Sequence, residues 1–278
     1  MTNSLDSRPY DLDKPDYSYF LSDQLEEVSG LTYVGEQKFL MVQDENGIVF
    51  TWDENSRQIE STRIFGSDGD YEGIELVGDQ VYVAKHNGTL YQYEMGKMDD
   101  STSLKHGTYL KGENDIEGLG YLEEEGVLLL ICKEPLIADG EMDKQYRAIY
   151  AYDIEEDELK DSPWMIIDVK AFYNWLAERK GDSRVEAVAY DNDPMKKKAL
   201  APSGIAVHPI SGNLYVLAHR SQLLLEMDTK GNFIHAYFLD RRIFEQAEGI
   251  TFKENGDLYI SSEGVEGPAS LLGFTYNP

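Results

Sequence analysis

Short runs of alternating apolar and polar residues fill most of the chain, and turn signals separate them. One example is the run 80–84, which is followed by Asn87-Gly88 and then by a second run, 89–93. Alternation with a period of two is typical of half-buried β-strands, and Asn-Gly between two such runs is a strong hairpin signal. The same order of strand, Asn-Gly turn and strand recurs around Gly47. The pattern predicts a chain made mainly of antiparallel strands.

A five-residue repeat motif opens each group of strands. It has serine or glutamate at position two, glycine at position three and leucine or isoleucine at position four. Its copies occupy residues 28–32, 71–75, 116–120, 202–206 and 247–251. The motif glycines lie 43, 45, 86 and 45 residues apart, so one insertion interrupts an otherwise regular repeat. A strand-rich repeat of about 40–50 residues is typical of a β-propeller.

The repeat predicts an all-β fold, a five-bladed β-propeller of four-stranded antiparallel blades, as one domain over residues 1–278. The fifth repeat ends at Pro278 after its third strand, so we expect residues 17–21 to supply the missing strand, close the ring and cover the open edge. Residues 169–201 form an insertion between blades three and four, with a predicted helix at 171–179. A weak motif copy at 186–190 makes six blades the alternative. Only 17 residues separate Glu186 from Ser203, which is too few for four strands.

Composition narrows the classes of partner. The chain has 25 basic and 52 acidic residues and a net charge of −27, which disfavours binding to nucleic acid or to anionic membrane surfaces. Cys132 is the only cysteine and lies in an apolar run, so we expect it to be buried and unreactive. No apolar run is long enough to cross a bilayer, and the first 15 residues do not have a signal-peptide pattern, which leaves the cellular compartment open.

Propeller geometry predicts where polar side chains meet. The first strand of a blade begins on the face where the second strand ends, so motif position two and the end of the second strand lie side by side. The predicted neighbours, blade by blade, are Ser29 with Asp44, Glu72 with Lys85, Glu117 with Lys133, Ser203 with His219, and Glu248 with Glu263. Blades two and three are expected to be neutralised internally. Blades four, five and one are expected to form an arc with uncompensated acids and a histidine.

This arc predicts a cation site. Adjacent carboxylates repel one another unless a cation or a proton intervenes. Oxygen donors are the ligands that Ca²⁺ and Mg²⁺ prefer. We therefore predict a Ca²⁺ site, with Mg²⁺ as the alternative, formed by Asp44, Glu248, Glu263 and Ser29.

A wider set of side chains is predicted to bind a ligand at the same opening. It comprises Glu72, Glu117, Lys85, His86, Lys133, Ser203, His219 and Arg220, of which His86 and Arg220 are candidates for an anionic group. Glu72 and Glu117 have an alternative, purely structural role: their carboxylates would cap backbone N–H groups and link neighbouring blades. No catalytic residue is predicted, because no nucleophile-elbow sequence surrounds Ser203.

The ordered motifs resemble the SdiA-regulated family over residues 25–276. The resemblance rests on VSGLTY at 28–33, VQDE at 42–45, GDYEGI at 69–74, DIEGL at 115–119, PSGIAVHP at 202–209, AEGITF at 247–252 and LYISSEG at 258–264. It implies a β-propeller that binds Ca²⁺ or another small ligand, without a firmly assigned enzymatic activity. It also implies a location outside the cytoplasm, behind a leader or anchor. The 169–201 insertion is longer than the family pattern, so no role is carried over to it.

Three functional hypotheses follow. The first is a non-catalytic binding module that holds a divalent cation and, with it, a small molecule or a protein partner. The alternative is a metal-assisted phosphoesterase or lactonase in which His219 moves protons and Lys85 or Lys133 holds an anion. The third is a scaffold whose charges are all satisfied internally.

Overall fold

The fold is a ring of five antiparallel blades, as the repeat predicts. The computed structural model describes residues 8–97, 103–138, 140–178, 199–265 and 267–278. In these residues each blade is a sheet in which consecutive strands pair antiparallel. The innermost strands contact one another in a closed order, from blade one through to blade five and back to blade one. This arrangement is an all-β propeller.

The strands follow the predicted repeat, and their bounds are given blade by blade. Blade one is β2 (Val28–Tyr33), β3 (Lys38–Gln43), β4 (Ile48–Asp53) and β5 (Gln58–Ile64). Blade two is β6 (Tyr71–Val77), β7 (Gln80–Lys85), β8 (Leu90–Glu94) and β9 (Leu104–His106). Blade three is β10 (Ile116–Leu122), β11 (Val127–Cys132), β14 (Tyr146–Asp153) and an outer strand split into β15 (Glu158–Leu159) and β16 (Met165–Asp168). Blade four is β17 (Gly204–Val207), β18 (Leu214–Ala218), β19 (Leu223–Met227) and β20 (Phe233–Phe238). Blade five is β21 (Gln246–Phe252), β22 (Leu258–Glu263), β23 (Ser270–Phe274) and β1 (Tyr17–Phe20).

The amino-terminal strand closes the ring, as predicted. Strand β1 pairs antiparallel with β23, with Tyr17 opposite Gly273. A buried polar contact reinforces this closure between blades five and one. Glu54 accepts hydrogen bonds from Tyr19 (2.9 Å) and Tyr259 (2.7 Å) and forms an ion pair with Lys253 (2.5 Å). Backbone pairing therefore completes blade five, and the carboxylate of Glu54 joins blade five to blade one.

The five motif glycines form a ring of close backbone contacts around the axis. A Cβ added to Gly73 would lie 2.7 Å from the backbone nitrogen of Leu119, and one added to Gly118 would lie 3.0 Å from Cα of Gly204. The other three motif glycines approach the next blade in the same way, and the last approaches Leu31 of blade one. Only glycine permits this approach, which explains why position three of the motif does not vary.

The core lies between the blades. Five apolar clusters are buried, and each one joins two neighbouring blades. Cys132 belongs to the cluster between blades two and three and is 2% exposed, which confirms the prediction that it is buried. Burial raises the pKa of its thiol to about 12. Such a thiol is not a nucleophile at neutral pH.

The insertion begins with the predicted helix, two residues earlier than expected. Helix α1 spans Val169–Ala177, because the carboxylate of Asp168 accepts a hydrogen bond from the backbone of Ala171 (2.9 Å) and caps the first turn. Phe172 and Leu176 bury its apolar side between blades three and four. Residues 179–198, which carry the weak motif copy at 186–190 and the basic run 196–198, lie outside the described residues.

Blade three carries one further element between β11 and β14. It is a two-stranded hairpin, β12 (Leu136–Ala138) with β13 (Glu141–Asp143). Among the described residues, no helix is both long enough and apolar enough to span a membrane.

Candidate functional site

A β-bulge in four of the five first strands places motif position two at the axis. The pairing of first and second strands shifts register between Val28 and Gly30, and equivalent shifts occur in β6, β10 and β21. A bulge leaves a residue unpaired and redirects its side chain. In blades one, two, three and five, the residue at position two is among those left unpaired by the bulge. The motif therefore encodes both the glycine contact and the direction of the adjacent side chain.

The opening at this face is called the channel mouth, and it is lined by position two of the motif and by the ends of the second strands. Below it, the channel narrows at the glycine ring to a cavity of about 10 Å³ that Glu72 and Glu248 border. That volume holds no more than about one water molecule. A ligand larger than an ion would therefore bind on the mouth and would not pass through the ring.

Carboxylates from four blades converge at the channel mouth. Burial raises the pKa of Glu263 to about 8, and the charges of Glu248 and Asp44 add to the effect. Burial also raises the pKa of Glu72 to about 11, with contributions from a hydrogen bond to Asp70 and from the charge of Glu117. The acids influence one another across the axis, so they form one cluster and not only the arc of blades four, five and one. We call Asp44, Glu72, Glu117, Glu248 and Glu263 the mouth cluster.

Lys133 pairs with one carboxylate of the mouth cluster. Its ammonium group contacts the carboxylate of Glu117, as predicted, and lies 4.0 Å from Asp115. Burial opposes the charge on Lys133, but Glu117 and Asp115 outweigh that cost and raise its pKa. The pKa of Glu117 is raised by burial to about 8 although Lys133 attracts its charge. Blade three is therefore paired internally, as expected.

In blade five, Glu248 lies beside the histidine of the predicted arc, His219. Nδ1 of His219 lies 3.1 Å from Oε1 of Glu248, in an orientation that makes no hydrogen bond. His219 belongs to blade four, so the contact crosses between blades. Glu248 is 6% exposed, and its charge also acts on Glu263.

In blade two, the predicted pairing of Glu72 with Lys85 is not observed. Among the described residues, Lys85 and Glu72 form no ion pair. The ammonium of Lys85 lies 5.0 Å from the ring centre of Tyr71, where a cation–π contact holds it. The Glu72 carboxyl is hydrogen-bonded to Asp70, which in turn pairs with Nδ1 of His86 (2.8 Å). His86 is thus already paired with a carboxylate, while Arg220 is exposed.

The two serine copies of the motif link neighbouring blades. The Ser29 hydroxyl donates to the carbonyl of Tyr71 (2.5 Å), and the Ser203 hydroxyl donates to the carbonyl of Ala247 (2.8 Å). Each of these carbonyls directly precedes a motif glutamate. Ser203 also accepts from the backbone of His219 (3.4 Å). In the part of the chain that the structure describes, the Ser203 hydroxyl bonds to backbone groups and not to the His219 imidazole, which is not the geometry of an activated serine.

Sequence reasoning missed the residue two places before motif position two. In four copies this residue is polar: Glu27, Asp70, Asp115 or Gln246. Each one interacts with the end of the second strand or the residue after it, as when Asp70 pairs with His86 and Gln246 donates to Glu263. The recurrence of polar residues at this position was the available signal. Together, these side chains form a second layer that surrounds the mouth cluster.

The predicted metal ligands are close together but are not arranged as a coordination shell. The described residues contain no group of three or more His, Cys, Asp or Glu side chains arranged to hold a metal ion. Oδ1 of Asp44 is nevertheless buried and has no hydrogen-bond partner in the described part of the chain. Burial raises the pKa of Asp44 to about 6, with Glu27 as the largest charge contribution. These hard oxygen donors fit Ca²⁺ or Mg²⁺ in type.

The fold and the mouth define a five-bladed β-propeller with an acidic channel mouth. Residues 150–266, from the third strand of blade three into blade five, match the model of the SdiA-regulated family. The match confirms the resemblance drawn from the motifs, over this part of the chain. The motif copies of blades one to three lie outside the matched residues, and the shared strand order and bulge relate them to the matched copies. No curated protein sequence matches the chain.

Solved structures confirm the fold. The chain is similar to Myxococcus xanthus glutaminyl cyclase with a TM-score of 0.61 and 12% identity, covering 95% of this chain and 97% of that one. It is similar to a luciferin-regenerating enzyme with a TM-score of 0.52 and 11% identity, covering 94% and 95%. It is also similar to a chain of a nidogen/laminin complex with a TM-score of 0.52 and 11% identity, covering 87% and 74%. At these identities the likeness extends to the fold alone.

Proposed function

We propose that this propeller is a non-catalytic binding module that holds a divalent cation, Ca²⁺ before Mg²⁺, at the channel mouth. The observation that carries the proposal is the position of Glu263. The charges of Glu248 and Asp44 act on its carboxyl, and among the described residues its side-chain hydrogen bond comes from the neutral amide of Gln246. Such a group keeps its proton at neutral pH unless a cation takes the proton's place.

The donors available suit this role. Within the described part of the chain, one buried oxygen of Asp44 has no hydrogen bond, and Glu248 lies against the imidazole of His219. Ser29 uses its hydroxyl hydrogen in the contact with Tyr71, which leaves a lone pair on the oxygen. Ca²⁺ accepts six to eight oxygen ligands in flexible geometry, so carboxylates and water can complete the shell. A small ligand or a protein partner would then meet the cation from the open side of the mouth.

Calorimetric titration with CaCl₂ tests the proposal. Because the cation displaces protons from the mouth cluster, we expect binding to release protons and to become tighter between pH 6 and pH 9. Titrations in two buffers with different ionisation enthalpies measure that release. The double variant Glu248→Gln with Glu263→Gln should bind Ca²⁺ about tenfold more weakly or worse, while the exposed Glu124→Gln should bind like the unmodified chain. No binding, or equal binding by the double variant, would overturn the proposal.

One observation favours the hydrolase alternative. The mouth combines Glu72, whose raised pKa keeps it protonated at neutral pH, with an imidazole, His219, that contacts a carboxylate. Groups of different proton affinity at one site are what acid–base catalysis uses. A panel of phosphoesters, esters and lactones, run with and without Ca²⁺ and Mg²⁺, tests this alternative. Turnover that survives both chelation and His219→Ala would place the activity elsewhere.

A further inference from the structure

The segment that precedes the closing strand is bound to blades four and five. Tyr10 and Leu12 are buried, with 3% and 5% exposure, in the apolar cluster between these blades. The carbonyl of Pro9 accepts a hydrogen bond from the backbone of Asn277 (2.9 Å). Strand β1 follows shortly afterwards and pairs with β23. Residues 8–13, called the latch segment, therefore give the closing strand a second attachment.

The ring of Tyr10 fills an aromatic pocket on the face opposite the channel mouth, where the first and second strands of each blade are joined. Its hydroxyl donates to the carbonyl of Gly256 (2.6 Å), in the first turn of blade five, and lies 2.9 Å from Nε2 of His208, in the first turn of blade four. Ring centres 5.7 to 6.4 Å away surround it, those of His208, Tyr215, Tyr237, Phe252 and Tyr276. One side chain of the latch segment thus joins the turns of two blades.

The hydrogen bonds of His208 determine where its hydrogen lies. Nδ1 accepts from the backbone N–H groups of Ile210 (3.2 Å) and Ser211 (3.0 Å), so it carries no hydrogen. The neutral imidazole then has its hydrogen on Nε2, which donates to the hydroxyl of Tyr10. That hydroxyl passes its own hydrogen to Gly256. A second proton on the imidazole would have to sit on Nδ1 and face two N–H donors, so the docked arrangement excludes the imidazolium.

The surroundings of His208 also oppose its protonation. The residue is 1% exposed, and burial lowers its pKa although the charge of Glu226 acts in the opposite direction. Glu226 accepts a hydrogen bond from Asn213 (2.7 Å) and lies 2.8 Å from Nδ1 of His235. The other charged or titratable groups around the pocket are Arg8, Asp257, Tyr215, Tyr237 and Tyr276.

We propose that the latch segment is an acid-released latch, which leaves blades four and five when His208 takes up a second proton. The imidazolium turns away from Ile210 and Ser211, and Tyr10 loses its hydrogen-bond partner and one wall of its pocket. The closing strand then keeps its pairing with β23 but has lost its second attachment. The device lies on the opposite face from the channel mouth and does not depend on a cation there.

The direction of the pH dependence follows from the two states. In the released state the imidazole titrates near its ordinary pKa of about 6.5. In the docked state its pKa is lower, so docking is fully favoured above about pH 6.5 and is lost as the pH falls below that value. The ratio of released to docked chains rises by up to about tenfold for each pH unit below 6.5.

Hydrogen exchange of the full chain, followed by mass spectrometry and corrected for the intrinsic pH dependence of exchange, tests the proposal. The amide of Asn277 reports docking, because it donates to Pro9 of the latch segment. Between pH 7 and pH 5 we expect its protection to fall by about tenfold or more, while the amides of β7 in blade two keep theirs. Unchanged protection of Asn277, or an equal loss in β7, would overturn the proposal.

Two histidine variants assign the effect. His208→Gln keeps a donor and an acceptor but cannot gain a proton, so its loss of protection between pH 7 and pH 5 should be less than about twofold. His235→Gln removes the neighbouring histidine, which lies against the same Glu226, and should keep the tenfold loss. An acid response that survives His208→Gln, or one that disappears in His235→Gln, would assign the release to another group and overturn the proposal.

A third variant tests the latch without changing the histidine. Tyr10→Phe keeps the aromatic ring and removes the hydroxyl that joins His208 to Gly256. We expect the amide of Asn277 to be about fivefold less protected in this variant already at pH 7, which is the effect of losing about one net hydrogen bond. Unchanged protection at pH 7 would show that the hydroxyl does not hold the segment, and the proposal would fail.

Discussion

At the scale of single residues, the residue type at motif position two decides between two roles. Serine at this position donates to a backbone carbonyl of the next blade, and glutamate enters the mouth cluster. Each serine copy precedes a glutamate copy around the ring, in blades one to two and four to five. The serine thereby fixes the backbone immediately before the glutamate that follows it. Variation within the motif is therefore part of how the site is built.

The pH dependence of stability reports on Glu263. Its pKa is near 4.5 in the unfolded chain and about 8 in the fold, so the folded state holds the extra proton between these values. Stability from this group is complete below about pH 4.5 and is lost as the pH rises through 8. Glu263→Gln cannot lose a proton. We therefore expect the Tm of this variant, relative to that of the unmodified chain, to be about 2–4 °C higher at pH 9 than at pH 5. Thermal melts followed by circular dichroism, with Glu124→Gln as control, measure this; the same shift at both pH values would contradict it.

The glycine ring gives a second prediction at this scale. Gly73→Ala places a methyl group 2.7 Å from the backbone of Leu119, and backbone cannot move aside as a flexible side chain can. We expect a loss of about 1–3 kcal/mol in the free energy of unfolding. Gly107→Ala, in the same blade, has no atom within 4 Å of the added carbon and should change stability by less than about 1 kcal/mol. Urea denaturation compares the two, and similar losses would show that packing at the axis is not the cause.

At the scale of elements, the sequence predicts the strands well and their contacts less well. The period of two and the Asn-Gly turns predict the blades and the closing strand, because both signals are local. The bulge in the first strands leaves the alternation of residues unchanged, so no pattern indicated it. The contact between His219 and Glu248 joins different blades and depends on the angle between them. The contact of Lys85 with the ring of Tyr71 depends on the rotamer of a flexible side chain, and strand register does not determine that rotamer.

The closing element depends on one buried carboxylate. Glu54 accepts from Tyr19 on the closing strand and pairs with Lys253, and both ends of this ion pair are mostly buried. Glu54→Ala leaves the mostly buried ammonium of Lys253 without its carboxylate counter-ion, so we expect a loss of about 3–5 kcal/mol. The half-exposed pair of Lys38 and Glu60 in the same blade serves as control, because Glu60→Ala should cost less than about 1 kcal/mol. Denaturant titration decides, and a mild effect of Glu54→Ala would show that backbone pairing alone closes the ring.

At the scale of the whole molecule, charge opposes the compact state. A net charge of −27 on 278 residues repels itself. Salt screens such repulsion over about 10 Å at 0.1 M. We expect Tm at pH 8 to rise by about 3–6 °C between about 0.05 M and about 0.5 M NaCl. Near pH 4.4, where the net charge approaches zero, the rise should vanish. Differential scanning calorimetry at both pH values measures it, and an equal rise at both would point to a general salt effect instead.

The glycine ring also bears on how blade number can change in evolution. Blades are repeated units, and duplication of one unit is the simplest route from five blades to six. A sixth blade would widen the circle of inner strands, and the glycines that now meet backbone to backbone would face an empty shaft. Such a lineage would need larger residues at position three of several motif copies to fill that space. The glycine at position three thus fits a ring of five blades. Its replacement in several motif copies would identify descendants with a different number of blades.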